Sequence, residues 1–506
     1  MRDLFKNERI RYLIILIIIL LPLFVINVKD THNWGDDFAL YIHQTKNIVE
    51  GKSAQNTGLI FNEDNPGMIS NVSIGFSLLL TPVYALFGNN ILAFSYFITL
   101  FLFLVGILAY LFLSKRMHPL LALLFVLIME YNRWTLFFKQ NILSDIPFAF
   151  LLLFAILVFY SDWKIRYLKC IVIALLAGFA MTVRSIALVI PVAFFGFFIF
   201  EIIKDIYYKK FVFKKAFKEF LIASAVVIVA FALKIILRRI FFPLPIDSSY
   251  SSAYATYLSH HSIWEVIAAT SSHYFFYFKS FFNMYRISDF IGNITIFLTW
   301  FLMAMGLVIK LLKKIEFHDF VFLAYFAVVL LYPATAGFRY IFPILPLLFY
   351  YQYVALKWMA TSLKMKKLDT LAYIYVLFVV LQYYQGVLSF TREQKNEIRG
   401  PQSKTSVEVF DYIKNHTPDS SIIVFRKPRA LALYTDRSAL SNNRRQKDVD
   451  KLDTIYNKLK VNYLLQNNNE IPDTAMILYL KKYSFKYKLI YKNNDFKLYE
   501  LRNILD

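Results

Sequence analysis

Long apolar runs separated by short basic connectors make up most of this chain. Runs near spanning length occur at 10–28, 91–113, 119–131, 142–160, 168–183, 185–203, 219–242, 290–312, 319–333, 339–356 and 369–388. A straight transmembrane helix needs about 20 apolar residues, so the pattern predicts a polytopic, all-α membrane domain of about 11 spans, several of them short. The run at 73–87, Ser-Ile-Gly-Phe-Ser-Leu-Leu-Leu-Thr-Pro-Val-Tyr-Ala-Leu-Phe, is only about 15 residues and suits an interfacial helix better than a span. Between Asp37 and Glu50 the apolar residues Phe38, Tyr41, Ile42, Thr45, Ile48 and Val49 recur at helical spacing, and Gly51 marks the stop.

The pattern changes near residue 391, where charged and amide residues take over around short apolar stretches. Helices are predicted at Val407–Asn415 and Pro428–Tyr434, and strands at Ser421–Phe425, Val461–Leu465, Tyr487–Tyr491 and Phe496–Leu501. The expected organisation is therefore a transmembrane domain over 1–390, with a long first outer loop at 29–90, followed by a small extracytoplasmic α/β domain over 391–506. No internal repeat is visible, which argues against a transporter built from duplicated halves.

Charge fixes the expected orientation. With the N-terminus in the cytoplasm, Arg9, Arg11, Lys115, Arg116, Lys164, Arg166, the lysines from Lys204 to Lys218, Lys313, Lys314 and Lys364 to Lys367 all fall inside. Shifting the register by one helix reverses this bias. The formal net charge of +22 is thus a membrane-topology signal, not a nucleic-acid signal, in a chain of 506 residues with 58% hydrophobic content. A mean hydropathy of +0.50 agrees. The single cysteine, Cys170, excludes an intrachain disulfide, and no Cys/His set has zinc spacing. The apolar N-terminal segment, lacking a small-residue cleavage site, reads as a retained first helix of a multi-pass protein in the cytoplasmic membrane.

This topology puts Asp36 and Asp37 outside, a few residues past the first span. A carboxylate there can take a proton from a hydroxyl nucleophile lying at the bilayer surface. Placed at a helix start, it is expected to keep a low pKa and to serve as base or, together with its neighbour, as a divalent-metal ligand. Helix capping is the plainer reason for an Asp at that point, but it accounts for one carboxylate and not two. Asp145, in Asn-Ile-Leu-Ser-Asp-Ile-Pro, reads equally as a second acid of the cleft and as part of a helix start with Ser144 as cap. The nearby Arg133 and Lys139 favour the first. Arg184 interrupts an apolar stretch, which costs about 2.5–3.5 kcal/mol at mid-membrane, so it either grips a phosphate or pairs with an acid. Arg339 suits bidentate phosphate binding, and Tyr340 suits the headgroup belt. Loop 243–289 adds His260, His261, His273, Lys279 and Arg286 among many aromatics; adjacent histidines lack helical ligand spacing, so a metal site is disfavoured, and the loop fits either a lid over the cleft or the ordinary aromatic belt of a membrane surface.

These residues resemble a known group, the integral-membrane GT-C-type glycosyltransferases, and within them the family-39-like branch of protein O-mannosyltransferases and lipid A aminoarabinose transferases. The resemblance rests on Trp34-Gly35-Asp36-Asp37 with Tyr41 and Gly51, on residues 73–82, on Leu143 to Pro147, on Arg184, and on Arg339-Tyr340 with Pro343 and Pro346. It covers most of 10–356. The group usually has Asp-Glu where this chain has Asp-Asp, and paired prolines where it has Pro66. The resemblance implies an inverting transfer of one sugar from a polyprenyl-phosphate donor to a lipid, glycan or protein acceptor at the outer face. Asp36 would be the base and Asp37 its acidic neighbour. Asp145, Arg184, Arg339, Tyr340, Tyr41 and Lys139 would bind substrate. No cofactor is required by this reading, although a divalent ion at Asp36 and Asp37 is compatible with it. A lipid-linked-sugar flippase, a non-catalytic envelope-assembly protein and an oligosaccharide polymerase or ligase are the alternatives.

Overall fold

The computed structural model describes residues 7–62, 65, 73–243, 257–269, 289–332, 337–393, 400–443, 446–468 and 473–502. The chain divides into two compact units, one formed by 1–28, 95–237 and 257–396 and the other by 29–94, 238–256 and 397–506. The long first loop thus clusters with the C-terminal segment in one unit.

The first unit is helical. Its helices are α1 (Glu8–Leu20), α4 (Ile91–Leu113), α5 (Pro119–Glu130), α6 (Arg133–Phe138), α7 (Asp145–Tyr160), α8 (Arg166–Val183), α9 (Val189–Tyr207), α10 (Phe213–Phe241), α11 (Asp289–Lys313), α12 (Phe317–Leu330), α13 (Leu345–Ser362) and α14 (Thr370–Glu393). By length and composition, Ile91–Leu113, Arg166–Val183, Ser185–Tyr207, Phe213–Phe241 and Ile294–Lys313 are each able to cross a membrane. Pro119–Glu130, Asp145–Tyr160, Phe317–Leu330 and Thr370–Leu381 are apolar but shorter. With no hydrophobic effect between helices in lipid, close backbone approach holds such bundles together. A Cβ added at Gly306 of α11 would lie 1.8 Å from the Tyr351 carbonyl oxygen of α13, so only glycine permits that crossing. Tyr351 Oη also donates to Asp319 Oδ1 of α12 at 2.7 Å, and Lys310 Nζ of α11 reaches Asp319 Oδ2 at 3.3 Å. Buried charge is tolerated there because it is paired.

The second unit holds α2 (Asp37–Val49), α3 (Ile74–Phe87), α15 (Lys404–His416), α16 (Pro428–Thr435), α17 (Val449–Lys458) and α18 (Thr474–Lys482). Its strands are β1 (Ile422–Phe425), β2 (Ser438–Leu440), β3 (Tyr463–Asn467), β4 (Tyr487–Lys492) and β5 (Phe496–Leu501), in the order β2-β1-β3-β5-β4. Strand β1 is parallel to both β2 and β3, while β5 runs antiparallel to β3 and β4. Val409, Phe410, Ile413, Leu431 and Ala432 of α15 and α16 cover one face of the sheet. Leu452, Tyr456, Ala475, Met476 and Tyr479 of α17 and α18 cover the other. The expected α/β character is present. Strand β2 and helices α17 and α18 were not expected: β2 has three residues, and α17 carries few apolar positions along its length. Helix α2 stops one residue short of Glu50, and Gly51 follows at φ +69, as its stop signal implies.

Candidate active site

Asp36 stands in the N-cap position of α2, but its side chain makes no capping hydrogen bond. Its backbone sits at φ 60, ψ −43, a region that costs a non-glycine residue about 1–3 kcal/mol. The carboxylate is instead buried, and its Oδ1 accepts the Ala430 amide N–H at 3.2 Å. Capping therefore does not explain Asp36. Asp37, more open, forms an ion pair with the buried guanidinium of Arg429. Arg429 and Ala430 both lie in the first turn of α16, whose N-terminus directs partial positive charge at the acids.

The low pKa expected for Asp36 is not what this environment produces. Burial pushes its carboxyl above the usual range, and Arg429, Lys427 and the Ala430 amide only partly offset that. An acid moved toward neutrality is a better general base than one held low.

Nearby, His32 is buried, stacks on Phe38 at 3.8 Å between ring centroids, and gives its backbone N–H to Gln402 Oε1 at 2.8 Å. Burial pushes its imidazole down to about 4, so it is neutral at physiological pH. Tyr41 meets Phe76 edge-on at 4.6 Å in the seam between α2 and α3, among packing contacts.

In the helical unit, Asp145 begins α7 and is buried, with no capping bond from Ser144. Arg184 Nη1 donates to its Oδ1 at 2.7 Å. Arg339 Nε and Nη2 donate to its Oδ2 at 3.0 and 2.8 Å. Arg184 is presented by an extended residue that separates α8 from a 3₁₀ turn at Ser185–Leu188, and Arg339 by another turn at Gly337–Tyr340. Both arginines therefore come from breaks in helix, where a side chain can be aimed off the helical register. The Tyr340 ring lies 5.8 Å from the Arg184 guanidinium carbon and 5.4 Å from Tyr332, so Tyr340 backs the cluster. Two guanidiniums and one carboxylate leave one formal positive charge in these three side chains. A recess lined by Thr135, Phe138, Asp145, Ile146, Arg339 and Phe342 adjoins them.

Lys139 is not part of this cluster. It is buried, its ammonium donates to the Leu23 carbonyl at 3.0 Å, and burial pushes it down to about 7. His260 and His261 are exposed and make separate local bonds, to Ser259 and to the Tyr257 carbonyl. His273, Lys279, Arg286 and Pro66 lie outside the described residues.

Three or more His, Cys, Asp or Glu side chains do not gather anywhere among the described residues in a way that could hold a metal ion. A dication at Asp36 and Asp37 would also face the Arg429 guanidinium already paired with one of them. As arranged, the acid pair does not fit a divalent metal.

Sequence reasoning missed Arg429 and Lys427. Their signal was available: basic residues flanking Pro428 at a helix start oppose the helix dipole, and such an arrangement calls for an acidic partner.

No protein-family model matches the sequence, and no curated protein matches it. Solved structures do match in three dimensions. The archaeal oligosaccharyltransferase AglB from Archaeoglobus fulgidus, in complex with an inhibitory peptide and a dolichol-phosphate, aligns with a TM-score of 0.54 at 11% identity, over 91% of this chain and 69% of that one. ArnT from Cupriavidus metallidurans, bound to undecaprenyl phosphate, aligns with a TM-score of 0.52 at 11% identity, over 96% of this chain and 97% of that one. A third structure, of the Archaeoglobus fulgidus oligosaccharyltransferase with Zn and sulfate, aligns at 0.53 and 12% identity over 90% of this chain. The expected resemblance to GT-C-type glycosyltransferases holds at the level of the fold.

Proposed function

We propose that this chain is a polyprenyl-phosphate-dependent glycosyltransferase of the cytoplasmic membrane, moving one sugar to a lipid, glycan or protein acceptor at the outer face. The observation that carries the reading is the cluster in which two arginines share the buried Asp145 beside a recess. A fixed, net-positive cradle of forked donors is what a phosphate headgroup requires. Support also comes from the fold neighbours solved in complex with dolichol-phosphate and with undecaprenyl phosphate.

In this reading the acceptor hydroxyl gives its proton to Asp36 as its oxygen attacks the anomeric carbon from the face opposite the phosphate. The new C–O bond forms as the bond to phosphate breaks, and the polyprenyl phosphate leaves with the electron pair and one more negative charge. Within the helical unit, the role proposed for Arg184 and Arg339 is to hold a phosphate headgroup, with Asp145 fixing the position of both guanidiniums. The topology that goes with this is an inside N-terminus, about 11 spans including the shorter apolar helices, and an extracytoplasmic domain over 391–506.

Mass analysis of envelope lipids, glycans and glycoproteins tests the proposal, comparing cells lacking the gene with cells complemented by wild type or by Asp36→Asn. A glycan or glycolipid that disappears without the gene and returns with wild type but not with D36N is the expected result. Identical profiles in all strains would remove the proposal.

A further inference from the structure

Strand β1 lies between β2 and β3, and its two neighbours are reached through helices on opposite faces of the sheet. In open α/β sheets that reversal opens a crevice beyond the carboxyl ends of the strands, and ligands bind there. Here the crevice is filled by residues 32–37 of the same chain. Trp34 sits edge-on to Phe425 at 5.8 Å, and to Phe410 and Phe496 at 6.3 Å each. Phe425 ends β1, and Phe496 pairs with Asn467, which ends β3. Directly beside the tryptophan, Asp37 takes Arg429 and Asp36 takes the Ala430 amide. His32 is held by Gln402, and Gly400, at φ +82, lies so close to the His32 carbonyl that an added Cβ would stand 2.1 Å from it.

We propose that the C-terminal α/β domain is a positioning module acting in cis: its ligand crevice is occupied by the acid loop, and Arg429 is the positioning residue that orients Asp36 through Asp37. This rests on the glycosyl-transfer reading for its catalytic consequence, but not for the docking itself. Asp36 occupies an unfavourable backbone region and cannot be held there by its own helix cap. The geometry is therefore imposed from outside α2, and the first turn of α16 is what imposes it. A crevice used in this way is not open to a soluble nucleotide or nucleotide-sugar, so the domain does not recruit one. The charged groups around the pair are Lys427 and Arg429 from the segment entering α16, with His32 from the loop itself.

The test uses the full chain in lipid nanodiscs, with Arg429→Gln and Arg429→Lys beside wild type. Hydrogen exchange needs no substrate. R429Q is expected to speed exchange of amides 37–41 by about tenfold, the equivalent of one charge-assisted hydrogen bond, with amides of β3 unchanged; R429K recovers part of the protection. With an undecaprenyl-phosphate-linked sugar as donor, R429Q is expected to lower kcat by roughly tenfold while KM stays within about twofold, and R429K again recovers part of it. Wild-type exchange at 37–41 in R429Q overturns the docking role whether or not any donor is consumed. Local loosening with an unchanged kcat overturns the positioning role and leaves the transfer reading standing. Loss of protection through β3 as well, unrelieved by R429K, marks Arg429 as a general strut and also overturns the proposal.

Discussion

Replacing Arg339 by Gln separates a phosphate cradle from an internal brace. Arg339 contributes two donors to Asp145 Oδ2, at 3.0 and 2.8 Å, while Arg184 holds Oδ1 at 2.7 Å. In R339Q the carboxylate keeps one cation, and the three-residue cluster becomes formally neutral. Hydrogen bonds to charged groups contribute about 1.5–3 kcal/mol, so a drop in stability of about that size is expected. The effect on a bound phosphate is larger. One unit charge at about 4 Å, with an effective dielectric near 20, is worth about 4 kcal/mol, which corresponds to roughly 10³ in affinity before solvent screening reduces it. Arg339 is about a quarter exposed, so a loss of about 10²-fold is the working expectation. Arg339→Lys keeps the charge and loses the fork, and should fall in between. Titrating undecaprenyl phosphate into the purified chain, with thermal unfolding recorded on the same samples, measures both quantities. An R339Q protein that is less stable yet binds undecaprenyl phosphate like wild type would make the cluster a brace and not a phosphate cradle.

Other expectations follow from individual environments. His32 is held neutral, with its folded value near 4 against 6.5 unfolded, so it stabilises fully above about pH 6.5 and that contribution, on the order of 3 kcal/mol, is lost as pH falls through about 4. His32→Gln should flatten the fall in thermal stability between pH 6.5 and 4; an unchanged acid limb contradicts this. Lys139 has the same sign in a higher pH window: it is charged at a cost below its folded value near 7, and the cost fades toward 10.5. Lys139→Met should therefore raise Tm more at pH 6 than at pH 9, and an equal shift at both pH values would show that its charge is not the issue. Gly400→Ala forces a Cβ to 2.1 Å from the His32 carbonyl at a left-handed φ and should cost upwards of about 1–3 kcal/mol, read as faster exchange of amides 32–41. Wild-type exchange in that variant would contradict the close approach.

Much of this was legible in the residues. Hydrophobic periodicity located the long spans, because a 20-residue apolar run has few other uses. Arg184 and Arg339 stood out because a charge in an apolar stretch needs a partner, and their common partner, Asp145, was itself suspected. What stayed hidden was long-range. Asp36 reads as a cap or as an ordinary low-pKa acid until its burial under α16 is known, and nothing in residues 29–90 names Arg429 as its neighbour. Tyr41 and Lys139 carry the right chemistry for a site, yet Tyr41 packs on Phe76 and Lys139 turns to the Leu23 carbonyl. Side-chain direction of this kind is set by packing, which a linear pattern does not contain. The three-residue β2 failed for another reason, since its strand character comes from pairing with β1 and not from its own composition.

Release of undecaprenyl phosphate from an undecaprenyl-phosphate-linked sugar, followed in the purified full chain with and without Asp36→Asn, decides whether Asp36 is the base of a sugar transfer. General-base catalysis contributes about 10²–10⁴ in rate, so wild type should release the lipid phosphate with inversion at the sugar and D36N should be slower by that factor without any loss of thermal stability. Equal release by D36N and wild type would contradict the account.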